Sequence, residues 1–479
     1  MTTVRTTTSP GGLRWLPRAL FFASGAVTLA EEVLWMRRFT ELLGATAATA
    51  AATLLGVFAG FAASSFAAAR FAARVRRPLR SYGLLELAAA LAALALLPMA
   101  SGAEALVPAL RRALAETPTV ARAVETLLAA AMVLLPTACL GATLPVVAPA
   151  LGGGGGRAWL CDRGPRPAPS ATTPPPAREI RVAAAPLREA SACALSFVSG
   201  MTLLALEAAC TRLFAQVHES SLHAFAVVVA AFLFALALGT LIAKGLLRFG
   251  LDPRLALGGA WLAAALVTAA APLVFSSLTG GLSTLTGSSS ERFVALLRLA
   301  AIVLVPPIAL GGAALPLLLG PAGGAPDPRQ LGRVLGWNTL GSIVGPLLAT
   351  FVAFPSIGLH STFFAAGALL LLTTAVVLVP RVTPGRRAPL CVALAVVAAL
   401  QVCFAAHAPA RVRLDPAIDE ELVELTEGPL AIAAVTRSHG DACIKLDNHY
   451  VLGGTKAAGD QRQLGHLPLL LHPAPPTSA

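Results

Sequence analysis

Charge is what this sequence has least of. Only 13% of its 479 residues are Asp, Glu, Lys or Arg, against 56% hydrophobic, and the mean hydropathy is +0.75. That balance excludes an ordinary water-soluble globule and points to a chain solvated by lipid. Lysine is nearly missing, present only at Lys244, Lys445 and Lys456, so the net charge of +12 is an arginine charge. The arginines cluster between apolar runs, as in cytoplasmic loops of membrane proteins, and no nucleic-acid partner is expected. The seven cysteines form no C-x-x-C pair and mostly lie inside apolar runs, where a free thiol behaves as a small hydrophobe. Neither a disulfide framework nor a metal site follows from them. The histidines also lack ligand spacing: His218 and His223 are five apart, His466 and His472 six. No G-x-G-x-x-G follows a strand, and no arrangement of nucleophile, base and oxyanion donor is legible. Arg5, Arg14 and Arg18 precede no short apolar core with a small-residue cleavage site, so the first span is expected to act as its own uncleaved signal.

What the sequence does have is long apolar runs. A hydrocarbon core about 30 Å thick takes roughly 20 helical residues to cross, and the spacing predicts spans at roughly 19–36, 46–69, 82–100, 124–150, 192–214, 222–247, 255–275, 294–319, 334–354, 361–380 and 390–406. Unpaired backbone groups are not tolerated in lipid and the runs are too long for barrel strands, so these are read as helices. The fold class expected is an all-α polytopic membrane bundle of about 10–11 transmembrane helices, followed by a small β-rich soluble domain. The localisation expected is the plasma membrane, multipass, with the bilayer as first partner and homo-oligomerisation left open.

Two halves of the bundle resemble each other. Ser24-Gly25, Glu32, Arg37 and Phe39 recur 175 positions on as Ser199-Gly200, Glu207, Arg212 and Phe214. Pro136, Gly141 and Pro145 recur 171 positions on as Pro307, Gly312 and Pro316. The reading is two parallel repeats, residues 1–151 and 191–407, the second with an extra hydrophobic segment. Between them, GGGGGRAWLCDRGPRPAPSATTPPPAREIR opens a Gly/Pro-rich linker, 152–190, with no hydrophobic periodicity.

Arginine placement gives a topology. Arg70 to Arg80, the linker, Lys244 to Arg254, Arg329 with Arg333, and Arg381 to Arg387 all fall on one side if every span crosses. A full crossing by 390–406 puts the tail outside the cytoplasm. A short interfacial segment, which its roughly 17 residues and Gln401 also fit, does not. Both readings stand on the sequence.

The tail, 408–479, changes character. ELVEL, LAIAAVTRS and ACIKLDNHYVL alternate as strands, His439-Gly440-Asp441 reads as a turn, and 460–471 as a short helix. So small a domain buries too little surface to be robust alone and needs a neighbour.

Within the spans, Glu31, Glu32 and Glu207 are costly charges and therefore functional candidates. Glu32 to Arg37 and Glu207 to Arg212 are five apart, so neither closes a good intrahelical pair, and pairing across the repeats is expected. The candidate intramembrane polar site is Glu32, Arg37, Glu207, Arg212 and Asn338. It reads either as a cation or proton-coupling site, or as interfacial charges with Trp35 at the headgroup level. The prolines are read as breaks in two long spans, which build a substrate site in some transporters and are plain kinks in others. Gly332, Gly336, Gly341 and Gly345 read as close helix packing, and Asn338 as an interhelical hydrogen bond. GLSTLTGSSS (281–290) reads as an extracytoplasmic loop.

SGAVTLAEEVLWMRR (24–38), the GATLP and GAALP repeats, GRVLGWNTLGSIVGPLLATFVAFPSIGL (332–359), TEGPLAIAAV (426–435) and LGHLPLLLHPAPP (464–476) together resemble the membrane-fused spermidine-synthase-like proteins. The resemblance implies a major-facilitator-like bundle, a small β domain like the N-terminal domain of spermidine synthase, and a Rossmann-type aminopropyltransferase domain. The last is not within these residues, and the chain is expected to stop at that domain boundary. No catalytic residue and no cofactor are therefore assigned here, and decarboxylated S-adenosylmethionine is expected only where a Rossmann domain is supplied. Polyamine biosynthesis is the implied process, and a transferase domain or subunit docking on 408–479 the implied partner. In the β domain the family's L-D-G and its glutamine resemble Leu446-Asp447-Asn448 and Val451. The family's Tyr-His-Glu falls on Asp460, Gln461 and Arg462, none matching. Asp447, Tyr450, Asp460 and Gln463 remain as candidate substrate contacts. Two other functions fit the residues: a transporter or channel for a polyamine or other small solute, and a membrane scaffold recruiting a separate transferase.

Overall fold

A backbone in lipid must satisfy its own polar groups, and the apolar runs do so as helices. In the computed structural model the described residues are 16–43, 47–152, 189–218, 222–319, 327–381, 384–429, 431–448 and 450–471; most of the predicted linker lies outside them. The helices are α1 (Leu16–Leu43), α2 (Ala47–Phe71), α3 (Pro78–Ala113), α4 (Pro118–Gly152), α5 (Glu189–Ala215), α6 (Leu222–Arg248), α7 (Pro253–Leu278), α8 (Ser289–Leu318), α9 (Arg329–Ile357), α10 (Leu359–Leu378) and α11 (Pro384–Ala406). Ten helices among the described residues are long and apolar enough to cross a membrane, and α2 adds a shorter apolar stretch, Leu55–Phe71. This is a multipass membrane protein with a small sheet after its last long helix.

Two expectations need correction. Helix α3 runs on to Ala113, well past the predicted end near 100. Ser101, Gly102 and Glu104 look like a loop, but Ala- and Leu-rich flanks continue the helix, and Glu104 forms an ion pair with Arg38 of α1. The paired prolines do not act alike. Helix α4 passes through Pro136 and Pro145 without interruption, whereas α8 has a π turn at Ala300–Leu304, just before Pro306 and Pro307, and a break at Ala313. A second π turn, Ala349–Ala353 in α9, precedes Pro355. Proline removes a donor and crowds the preceding turn, and a widened turn accommodates that.

The chain divides into two compact units, residues 1–200 with 318–343, and 201–317 with 344–479. In the first, α2 packs on α4 where glycines let backbones approach. A Cβ at Gly60 would strike the Thr137 hydroxyl, and one at Gly141 would meet Ser64 and Phe61. Phe39, Val57, Leu96, Met132 and Val133 form the core beside that seam. The opening of α9 belongs to this unit. Gly332 lies against Ser65 and Ala69, Gly336 against Phe66, and Trp337 stands edge-on to Phe66 and Phe197.

In the second unit α6 packs on the Pro307 segment of α8. A Cβ at Gly239 would strike the Ala309 carbonyl, and one at Gly345 would strike that of Met201. Its core contains Leu206, Phe214, Phe275, Phe354 and Phe363. Helix α11 is held by Gln401, whose Nε2 donates to Ala265 O at 3.0 Å. The amide passes beside Gly367, where a side chain would block it.

The tail forms an antiparallel meander, β1 (Glu421–Glu427), β2 (Ile432–Ser438), β3 (Asp441–Leu446) and β4 (Tyr450–Gly454), then helix α12 (Ala458–Leu471). The predicted strand ACIKLDNHYVL is two strands. Asp447 and Asn448 both take positive φ, 47° and 61°, and turn the chain between them. His439 and Gly440 do the same between β2 and β3, at 49° and 89°. Paired positive φ values match the right-handed twist of a tight hairpin, and Asn, Asp and Gly tolerate them best.

Candidate functional site

The sheet is not a free domain. Ile432 and Ala434 of β2, with Val412 after α11, are buried in the same core as Phe214, Phe354 and Phe363 of the helices. At that junction stands Arg212, in the last turn of α5. Its Nη2 donates to Gly428 O at 3.1 Å, and its guanidinium carbon lies 5.8 Å from the centre of the Phe354 ring. Glu427 and Asp447 attract it electrostatically. Its Nε and Nη1 are buried without a hydrogen-bond partner.

Glu427 ties the next elements together. Its Oε2 accepts from Leu359 N at 2.6 Å, at the start of α10, and its Oε1 pairs with Arg411 Nη1 at 2.9 Å. Gly358, at φ 85°, makes the turn before α10, and a Cβ there would meet the Glu427 carboxylate. Asp447 closes the set from the β3–β4 turn, accepting from Ile432 N at 2.8 Å while its own N–H donates to Ile432 O at 2.9 Å. Gln216, one helical turn beyond Arg212, is 1% exposed with both amide atoms unpartnered, and His360 beside Leu359 is buried with Nδ1 unpartnered. Burying unpaired polar groups is costly, so this junction is a strained polar patch inside an apolar core.

The predicted polar site is divided. Glu32, Arg37 and Asn338 belong to the first unit, Glu207 and Arg212 to the second. Arg37 finds Glu41 one turn on, at 3.4 Å, and Arg38 binds Glu41 at 3.1 Å. Arg37 thereby has a local partner, while Arg212 binds Gly428 of the tail. Asn338 makes the interhelical bond expected of it: Nδ2 donates to Ser196 O at 3.0 Å. Glu207 lies on α5, within electrostatic range of the buried Cys210 thiol.

Sequence reasoning missed Glu86. It accepts from Ser24 Oγ at 2.6 Å, and Tyr82 and Glu31 lie within its electrostatic reach. Glu31, half-buried Glu32 and Glu86 are the carboxylates of α1 and α3 outside the ion pairs that Glu41 and Glu104 make with Arg37 and Arg38. The signal available was a single Glu in the apolar run of α3. It also missed Glu427, which reads as an ordinary strand-end acid until the fold brings Leu359 and Arg411 to it.

The candidate substrate contacts in the sheet domain are not gathered into one pocket. Asp447 has the structural task just described. Asp460 and Gln463 stand exposed on α12. Tyr450 is in register with Leu446, and its side chain lies outside the described residues. Gln461, which no motif singled out, packs over Gly453 and donates to Leu452 O at 3.2 Å. An open apolar groove of about 590 Å³ between α10 and α11 is lined by Phe364, Ala368, Leu371, Ala398 and Val402 among others, with no charged group. Comparison with family models, with curated proteins and with solved structures gives no match for this chain.

Proposed function

We propose that this chain is the membrane platform of a spermidine-synthase-like protein. The second of two repeated helix bundles holds a small β domain in place, and an aminopropyltransferase domain or subunit docks on that domain. The observation that carries the reading is the junction at Arg212: the bundle buries a guanidinium and its own aromatic core against the sheet. A transporter gains nothing from a sheet built into the core of its helices, whereas a platform needs its docking element fixed. The repeat reading draws support from the matched seams, α2 on α4 through Gly60 and Gly141, and α6 on α8 through Gly239 and Gly312. The reading places the protein in the plasma membrane and leaves group transfer to the docked domain.

The test is recruitment. Proteoliposomes carrying the full chain are floated with the isolated Rossmann domain of a soluble spermidine synthase. The platform reading expects co-flotation that is lost on charging the exposed β4 face with Val451→Asp and Leu452→Asp. Absence of co-flotation with correctly folded protein overturns it.

One observation favours a second reading. Glu31 on α1 lies within electrostatic reach of Glu86 on α3, with Glu32 next to it in the chain, and intramembrane carboxylates commonly mark solute paths. Spermidine uptake into the same vesicles, abolished by Glu31→Gln or Glu86→Gln without any added domain, would favour transport over the platform.

A further inference from the structure

We infer that the sheet domain faces the extracytoplasmic side of the membrane. The inference goes beyond the platform reading and limits where its partner works. It rests on geometry within the second unit alone.

One end of this unit is the sheet end. Arg212 at the end of α5 meets Gly428, and Leu359 at the start of α10 meets Glu427. Leu285 N, in the loop after α7, donates to Val217 O at 2.8 Å just after α5. Helix α11 ends at Ala406, immediately before Val412 enters the shared core. Its 23 residues span about 34 Å at 1.5 Å each, enough to cross the hydrocarbon. Gln401, the one polar side chain that made a full crossing doubtful, is satisfied inside the bundle by Ala265 O. Of the two readings of 390–406, the crossing helix is the one the packing favours.

The basic residues are at the other end. Lys244 and Arg248 close α6, Arg254 opens α7, Arg381 follows α10, and Arg386 and Arg387 open α11. The short connections at the sheet end, 216–221 and 279–288, contain no Lys or Arg. The cations near that end are Arg212, buried against Gly428, Arg292 and Arg298 on α8, Arg411, paired with Glu427, and Arg413, with Arg437 and Lys445 in the sheet itself; those after Ala406 belong to the tail domain, and a domain of that length crosses largely regardless of its charge. Lys and Arg in short loops stay on the cytoplasmic side during insertion. The end rich in them is cytoplasmic, and the sheet, at the opposite end of the same helices, is outside. A partner docked on the sheet then works in the extracytoplasmic space, where a charged nucleoside donor arrives only by export.

Thiol labelling in intact cells tests this with the full chain. Glu424→Cys places a thiol on the exposed face of β1, and Phe249→Cys places one in the loop between α6 and α7, where Phe249 is 85% exposed. Both are read above the labelling of the parent chain with a membrane-impermeant maleimide. The expected result is that Glu424→Cys labels equally before and after permeabilisation, while Phe249→Cys labels only after it. The reverse pattern, or labelling of both or neither in intact cells, overturns the inference. Labelling of both after permeabilisation, with unfolding midpoints matching the parent, establishes that each variant is folded and reachable. An inverted result leaves the recruitment test untouched, so the two proposals fail separately.

Discussion

The two units carry the same short signature 175 residues apart and use it differently. Phe39 and Phe214, at matching positions, are both buried core aromatics. Arg37 and Arg212, two residues earlier in each, part company. Arg37 is exposed and paired with Glu41 on its own helix, while Arg212 is enclosed beneath the sheet, bound to Gly428 and facing Phe354. An apolar position answers to its own helix face and keeps its role. A charged position answers to whatever covers the helix end, and only the second unit has a sheet there.

The largest expected effect breaks that contrast at its charged side. Arg212→Ala leaves Gly428 O short of a partner and takes a positive charge from beside Glu427 and Asp447, and should destabilise the second unit by about 3 kcal/mol, the upper end for losing a hydrogen bond to a charged group. SDS titration of the purified protein and faster proteolysis within 408–471 are the readouts. Arg37→Ala should change stability by no more than about 0.5 kcal/mol, as exposed pairs do. Equal losses from the two would show that burial is not what separates them.

Gly60→Leu and Gly239→Leu ask whether the two seams are equivalent. Each forces a side chain into a facing backbone or hydroxyl, so each should cost roughly 2–3 kcal/mol by overpacking. A large loss in one and none in the other would count against the repeat reading.

The sheet domain should respond to acid through Glu420. Burial would raise the Glu420 carboxyl, but Lys445 Nζ at 2.6 Å and the N–H of Asp415 at 2.8 Å outweigh it and hold the group below the ordinary carboxylate range. A carboxyl with a lowered folded pKa stabilises the fold above its unfolded value, and that contribution is lost as pH falls from the unfolded pKa through the folded one. Hydrogen exchange in β1–β3 should therefore accelerate below the ordinary glutamate pKa of about 4.3. Glu420→Gln should remove this pH dependence and cost about 2 kcal/mol at neutral pH, as expected for a charged hydrogen-bonded group. Gln401→Leu gives the smallest effect in this unit, about 0.6 kcal/mol for an interhelical hydrogen bond in lipid, read by SDS titration.

All eleven predicted spans are found as helices, because an apolar run of membrane length has one backbone solution. Boundaries were legible where Pro, Gly or arginine ended a run, and failed at α3, where Ser101 and Gly102 resemble a loop but cost a helix too little to stop it. Most of the strands were legible from alternation. The β3–β4 turn was not, because Asp447 and Asn448 read as polar positions of one long strand until their positive φ is seen. The candidate site was half legible. Carboxylates and arginines in apolar runs flagged themselves, but a charge does not announce its partner. Glu41, Glu86, Gly428 and Glu427 come from other turns or other elements, and only the fold brings them to the flagged groups.

Ile432 and Ala434 sit in the helix core, and Ile432 N also donates to the Asp447 carboxylate. The amides of β2 are thus clocks for the helix ends beneath them. Any loosening of α5 or α10 at this face must show in the exchange of the strand buried against it, so the sheet reports motions that lipid would otherwise conceal.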